Sequence, residues 1–240
     1  MLREHEQLND LEYRGLYLVQ NKKTYTFTMD AVLLANFVKA GARERVLELC
    51  AGEGVISILV AAKTKAKEIV GIEIQPVLYD MACRSAAING LEGRVKFVSD
   101  DLKNAAKRFG SGAFDVVVVN PPYKKFDGDP DSATVADICR SEVLTTLSDV
   151  VRSGADALKF GGRFYAVIKA DRAGELIALL AGCDIAVKKM VTVFPKAGRK
   201  SDTVLIEGRK GGKHVMTIEP LVVFEEDGSY TPALRRIYNK

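Results

Sequence analysis

Phe114-Asp115-Val116-Val117-Val118-Val119-Asn120-Pro121-Pro122-Tyr123 says more about the architecture than any other stretch of this chain. The apolar run, interrupted only by Asp115, reads as a strand buried on both faces, the kind found in parallel sheets. Asn120–Tyr123 then fall at the strand's carboxyl end, where open α/β sheets take their ligands. Two successive prolines remove two backbone donors and fix two φ angles. The Asn120 side chain and the carbonyls beside it are thereby held stiffly. Such a corner suits a planar amine, with the Tyr123 ring nearby for stacking.

Working outward, short β-rich runs alternate with helical patterns. Strands are expected at Arg45–Leu49, Ile69–Glu73, Val95–Ser99, Phe114–Asn120, Gly162–Ile168, Ile185–Phe194 and Thr203–Gly208. Helices are expected at Asp30–Lys39, Gly54–Ala62, Pro76–Asn89, Ala136–Leu158 and Arg172–Leu180. Alternation of this kind builds βαβ units. The expected fold is α/β: a doubly wound, mostly parallel seven-stranded sheet with helices on both faces. The last two strands have no helix between them, so they form an antiparallel edge hairpin. Pro76 can open a helix, and Asn89-Gly90 can close one.

The 240 residues suffice for one α/β core with some decoration. The expectation is a single domain over 1–240, with 1–28 as an N-terminal extension and 213–240 as a C-terminal tail of turns around Pro220, Asp227-Gly228 and Pro232. No apolar stretch reaches the ~18 residues of a membrane span, and Met1–Glu6 lack a signal-peptide core. A cytoplasmic protein without a membrane partner is expected. Cys50, Cys83, Cys139 and Cys183 form no C-x-x-C pair, so no zinc or redox motif is present and no metal is expected. His5 and His214 are the only histidines, which leaves no material for a Ser-His-Asp triad. The formal net charge of +4 permits a nucleic-acid partner without requiring one.

Arg45–Ser57 read as strand, glycine turn and helix start. In Gly52-Glu53-Gly54-Val55-Ile56-Ser57, a serine stands where a dinucleotide fingerprint has its third glycine. Glu48 and Glu53 would repel a pyrophosphate. Beside a sulfonium and an ammonium they are favourable, so the turn, with Cys50, Ala51, Gly52 and Gly54, fits S-adenosyl-L-methionine better than NAD. Glu73, ending the next strand and followed by Ile74, stands where a carboxylate accepts from ribose hydroxyls. Asp100-Asp101-Leu102 end the third strand. Either acid can accept from an adenine amino group; Asp101, before the apolar Leu102, is preferred, with Asp100 as a helix cap.

Taken together, Glu48–Gly54, Glu73, Asp100-Asp101 and Asn120-Pro121-Pro122-Tyr123 resemble the ordered motifs of class I S-adenosylmethionine-dependent methyltransferases. The N-P-P-Y form is similar to that of enzymes methylating adenine N6 or glutamine amide nitrogen. More narrowly, Tyr25–Ala35, Cys139-Arg140-Ser141-Glu142 and Tyr230-Thr231-Pro232 resemble the bacterial tRNA (valine) adenine-N6-methyltransferase family. The resemblance implies a Rossmann-like methyltransferase fold and an RNA partner, tRNA in particular. It also implies that the Thr28-Met29-Asp30 turn lies over the cofactor. From the residues alone, Thr28 reads as a helix N-cap and Asp30 as a complement to the helix dipole. A protein glutamine N5-methyltransferase and a non-catalytic RNA-binding protein of the same fold stand as the alternatives.

The chemistry expected at Asn120 is geometric. Its side-chain oxygen and the Pro121 carbonyl accept the two amino hydrogens, turning the nitrogen lone pair toward the methyl group by preorganised electrostatics. No general base is needed before transfer, in keeping with the shortage of histidine. Tyr123 stacks on a flipped base. Lys124 and Lys125 follow at once, and Lys196, Arg199 and Lys200 come later; the two runs are expected to share a phosphate-binding rim.

Overall fold

The computed structural model describes residues 2–24, 26–213 and 215–238. Met1, Tyr25, His214, Asn239 and Lys240 lie outside them, and with them the first residue of the Tyr25–Ala35 segment and one of the two histidines. An antiparallel hairpin opens the chain, β1 (Glu6–Asp10) and β2 (Tyr17–Asn21), with Glu6 opposite Asn21. It lies inside the expected extension. Strand β1, Glu-Gln-Leu-Asn-Asp, has almost no β-forming residues to announce it. The chain then alternates as its periodicity predicts: α1 (Met29–Phe37), β3 (Arg45–Leu49), α2 (Val55–Lys63), β4 (Glu68–Glu73), α3 (Pro76–Ile88), β5 (Val95–Ser99), the short α4 (Ala105–Phe109) and β6 (Phe114–Val119).

After β6 the expected helix Ala136–Leu158 is two helices, α5 (Val135–Arg140) and α6 (Leu147–Ala157). Each opens on a capping box, Thr134 with Asp137 and Thr146 with Asp149. The second box supplies a helix start inside a run that reads as continuous. Next come β7 (Leu158–Lys169), α7 (Ala173–Gly182), β8 (Ile185–Phe194), β9 (Thr203–Lys210), β10 (Thr217–Val222) and α8 (Pro232–Tyr238).

The main sheet has eight strands in the order β10-β8-β9-β7-β6-β3-β4-β5. Strand β9 is antiparallel to both β7 and β8; the other pairings are parallel. The predicted fold class holds, with one strand more than expected. Strand β10 covers the β8 side of the β8–β9 hairpin, so the hairpin is not itself the edge. Pro220 lies within β10, a position a proline tolerates on an edge strand and one that argues against a strand in sequence.

Side chains alternate across the sheet as a period of two demands. Val46, Val116 and Val118 join one apolar cluster with residues of α1, α2 and α8. Leu47, Leu49, Val117 and Val119 join another with α6 and α7. Val19 of β2 packs with Leu78 and Met81 of α3, which fastens the N-terminal hairpin to the body. No helix among the described residues is long and apolar enough to cross a membrane.

The strand order reverses between β3 and β6. From β3 the chain works outward through β4 and β5, then returns to the other side of β3 for β6. Leu49 and Val119, the last residues of these two strands, pair directly. The glycine turn after β3 and Asn120–Tyr123 after β6 therefore leave the sheet side by side, at the switch point where such sheets form a crevice.

Candidate active site

The turn after β3 is built from left-handed residues. Cys50, Gly52 and Gly54 have φ of +56°, +55° and +86°. Only glycine takes that region without strain, so Cys50 is held there by its surroundings. The Ala51 N–H donates to the Ile72 carbonyl at 2.9 Å, fixing the turn to β4. A Cβ on Gly54 would lie 2.5 Å from Cζ of Phe97, so this glycine is also a close packing point with β5. A Cβ on Gly52 would meet nothing within 4 Å. Its bare backbone faces open space.

Three glutamates surround the turn. Glu73 accepts from the Gly52 N–H at 2.8 Å and the Gln75 N–H at 2.9 Å, tying the end of β4 to the turn. Burial raises its pKa against those bonds. Glu48 is 1% exposed and accepts from both the backbone N–H and the hydroxyl of Ser57. Glu53 is 2% exposed and accepts from the Gln20 amide. Burial pushes each of these two carboxyls up to about 8. In both, Oε1 is buried with no hydrogen-bond partner.

Between these residues and Asn120 lies a cleft of about 860 Å³, counted with the part open to solvent. It is lined by the turn, Glu48, Glu73, Ile74, Asp100, Asp101, Leu102, Asn120 and Pro122. Helix α5, with Ile138 and Cys139, and the segment joining it to α6, with Leu144 and Thr145, close one side. The Thr145 hydroxyl is also buried without a partner. Gln75 donates to the Cys139 sulfur at 3.3 Å, linking this wall to the end of β4.

The structure brings most of the sequence-derived site together and places a few residues elsewhere. The capping role falls on Asp101, not Asp100: its Oδ1 accepts from the Lys103 N–H at 2.9 Å, and its Oδ2 lies 3.2 Å from the Lys103 ammonium. Asp100 accepts from Asn104 at 2.8 Å and from Arg108 at 3.2 Å. Thr28 occupies the N-cap position of α1, but its side chain makes no capping bond. Neither it nor Asp30 lines the cleft; their neighbours Phe27 and Ala31 do. Asp30 is drawn instead to the Lys169 ammonium, 3.4 Å away.

Pro121 is buried and does not line the cleft. Tyr123 is half-buried and faces a second hollow with Lys124, Lys125, Lys169 and Arg172. Its loop is clamped twice. The Tyr123 and Lys124 N–H groups donate to the Arg140 carbonyl at 3.1 and 2.9 Å. The Tyr123 carbonyl accepts from Arg172 at 2.9 Å, and the same guanidinium pairs with Glu142 at 2.9 Å and Glu175 at 2.7 Å. Burial pushes the Glu142 carboxyl up, but the Lys125 ammonium, the Leu147 N–H and Arg172 together hold it below the usual range. Lys196 donates to the Glu226 carbonyl at 3.0 Å, and Arg199 and Lys200 are exposed on the β8–β9 loop. That loop leaves the sheet at the carboxyl end of β7, where Lys169 pairs with Thr203, so it shares an edge with Asn120.

Gln20, Phe27 and Arg172 are site residues that the sequence reading did not single out. Gln20 is wholly buried and accepts from Asn9 across the N-terminal hairpin while donating to Glu53. No local signal marks it, because the partner that gives it a role, Glu53, lies 33 residues further along the chain.

The residues fit a cationic, ribose-bearing cofactor. Two carboxyl oxygens and a hydroxyl without partners belong to residues lining one cleft with a bare glycine backbone, and Glu73 at the strand end lines it too. A buried acceptor without a partner is costly, and an ammonium supplies one. The sequence profile of the family described as "Methyltransferase small domain" matches residues 28–181. A putative protein N5-glutamine methyltransferase of Methanocaldococcus jannaschii is 34% identical over 113 residues, 47% of this chain and 54% of that one. The chain thus matches only about half the length of that relative. A tRNA1(Val) (adenine(37)-N6)-methyltransferase of a Flavobacteriaceae bacterium is 20% identical over 220 residues, 91% of each chain. The crystal structure of a "predicted O-methyltransferase" from Agrobacterium tumefaciens superimposes with a TM-score of 0.71 over 88% of this chain and 96% of that one, at 24% identity.

Proposed function

The chain belongs to the methyltransferase small-domain family, with S-adenosylmethionine as its cofactor, and from that premise we propose that it methylates the exocyclic N6 amine of adenine in RNA, tRNA in particular. The observation that carries this reading is that Asn120 and Pro122 line the same cleft as Gly52 and Glu73. An amine held at the proline-backed corner therefore faces whatever the glycine turn holds. When bound, the cofactor supplies an electrophilic methyl group on a sulfonium.

The protein's part is to bind and orient. Glu73, already receiving two backbone N–H groups, keeps lone pairs for ribose hydroxyls. Asp100 or Asp101, at the end of β5, accepts from the adenine amine. Glu48 and Glu53 supply negative charge near the ammonium. The Asn120 side-chain oxygen and the Pro121 carbonyl accept the substrate's amino hydrogens. This rotates the nitrogen lone pair toward the methyl group and stabilises the positive charge that grows on nitrogen. The resulting amine is acidic enough to lose its proton to water. Tyr123, clamped through its backbone on both sides, offers a stacking surface.

Two observations support RNA. Tyr123 borders a hollow rich in cations, and the likeness to the tRNA enzyme runs nearly the whole length of both chains. The higher identity to a glutamine methyltransferase over about half the chain favours a second reading, methylation of a protein glutamine. The two separate cleanly in one experiment. Purified protein with methyl-labelled cofactor is offered tRNA from a strain lacking the gene and, in parallel, release factor. Label in N6-methyladenosine of digested tRNA is the expected outcome; label confined to release factor would establish the alternative.

A further inference from the structure

The strip Asn120–Tyr123 has two sides. One is a wall of the cofactor cleft. On the other, Tyr123 shares a separate hollow with Lys124, Lys125, Lys169 and Arg172, and with the carboxylates of Asp171 and Glu175. Two of these cations are engaged. Arg172 pairs with Glu142 and Glu175, and Lys125 pairs with Glu142 at 2.8 Å. Lys124 is exposed and has no ion-pair partner among the described residues.

Lys169 is the unusual member. Its ammonium lies 5.6 Å from the centroid of the Tyr123 ring. It donates to the Thr203 hydroxyl at 3.0 Å and to Asp30 at 3.4 Å, with Asp202 at 3.8 Å. Two hydrogen-bond partners leave one of its three N–H groups. Asp30, displaced from the cofactor cleft, thus helps hold a cation beside the ring on which a base would stack. Thr203 opens β9, directly after the loop bearing Lys196, Arg199 and Lys200, so the cations continue along the same sheet edge.

We propose that this hollow binds the phosphodiester backbone of the RNA strand beside the target base, with Lys169 and Lys124 as its phosphate ligands. Aromatic rings beside tracking cations are how proteins hold unpaired nucleic acid. A glutamine side chain presented by a protein brings no anion to such a place. The inference rests on the N6-adenine reading above.

The test is binding of undermethylated tRNA by anisotropy across a salt series, with Lys169→Met, Lys124→Met and Lys169→Arg. Losing one phosphate contact on a single strand lowers the salt slope by about 0.7, which corresponds to about fivefold weaker binding at 0.1 M salt. Both Met variants should show that loss, Lys169→Arg should retain wild-type binding, and S-adenosylmethionine affinity should stay unchanged in all three. Lys124 is exposed on a loop, so its variant reports even if Lys169→Met folds poorly. Wild-type slopes and affinities in both Met variants, from a protein that does methylate tRNA, would overturn the hollow alone. A protein that labels release factor and never tRNA would overturn the N6-adenine reading, and this inference with it.

Discussion

Cofactor affinity should rise steeply with pH, because the cleft stores its negative charge in protonated form. Glu48 and Glu53 sit near 8 when the cleft is empty, so at pH 6 only about one in a hundred of each is ionised. A bound ammonium favours the ionised form, and binding then releases a proton. For one carboxyl at about 8, the affinity gain between pH 6 and 7.5 is about 25-fold, or about 2 kcal/mol. Isothermal titration with S-adenosylmethionine in buffers of different ionisation heat counts the protons directly. The wild type should release at least one in this range, and Glu53→Gln, which keeps the Gln20 contact but cannot ionise, should release one fewer. A flat affinity from pH 6 to 7.5 with no proton released would show that these carboxyls do not face the cation, and the electrostatic account of the turn would fall.

The same two groups contribute to the pH dependence of the empty protein's stability. Their folded pKa lies above the ordinary 4.5, so the stability they confer is fully present below about 4.5 and is lost as pH rises through about 8. The melting temperature of the empty protein should therefore fall between pH 5 and 8, by differential scanning fluorimetry, and less so in Glu53→Gln. Gly54→Ala meets both a positive φ and the Phe97 ring at 2.5 Å; a cost of about 2–4 kcal/mol should lower the melting temperature by roughly 10 °C. Arg172→Met leaves the Glu142 carboxylate, 6% exposed, without its guanidinium. Glu142 keeps the Lys125 ammonium at 2.8 Å, so about 1–3 kcal/mol of stability should go with the lost hydrogen bonds, and kcat should drop while S-adenosylmethionine affinity holds; an unchanged kcat would mean that the Tyr123 loop needs no clamp.

Much of this molecule was legible because its signals are local. The apolar run before Asn120, the glycine turn after Leu49 and the acid ending β4 each declare themselves within a dozen residues, and the switch point follows from their order. Strand β10 was hidden by Pro220, which denies a strand locally and is tolerated only because the edge position leaves its nitrogen without a ladder to join. The break between α5 and α6 was hidden because Thr146 and Asp149 lie within an otherwise amphipathic stretch. Gln20 and Arg172 were out of reach for another reason. Their partners Glu53 and Tyr123 are 33 and 49 residues away, and nothing in the local pattern links them. The Asp30–Lys169 contact, across 139 residues, draws one expected cofactor neighbour toward the Tyr123 side of the Asn120–Tyr123 strip.

The central claim is that Asn120 holds the accepting nitrogen opposite a methyl donor seated on the glycine turn. The direct measurement is methyl transfer to undermethylated tRNA by Asn120→Ala, with S-adenosylmethionine affinity measured on the same preparation. Removing one preorganised acceptor should cost about 10²–10³ in rate while the cofactor binds as tightly as before. Near-normal turnover in a variant that binds the cofactor normally would contradict the account.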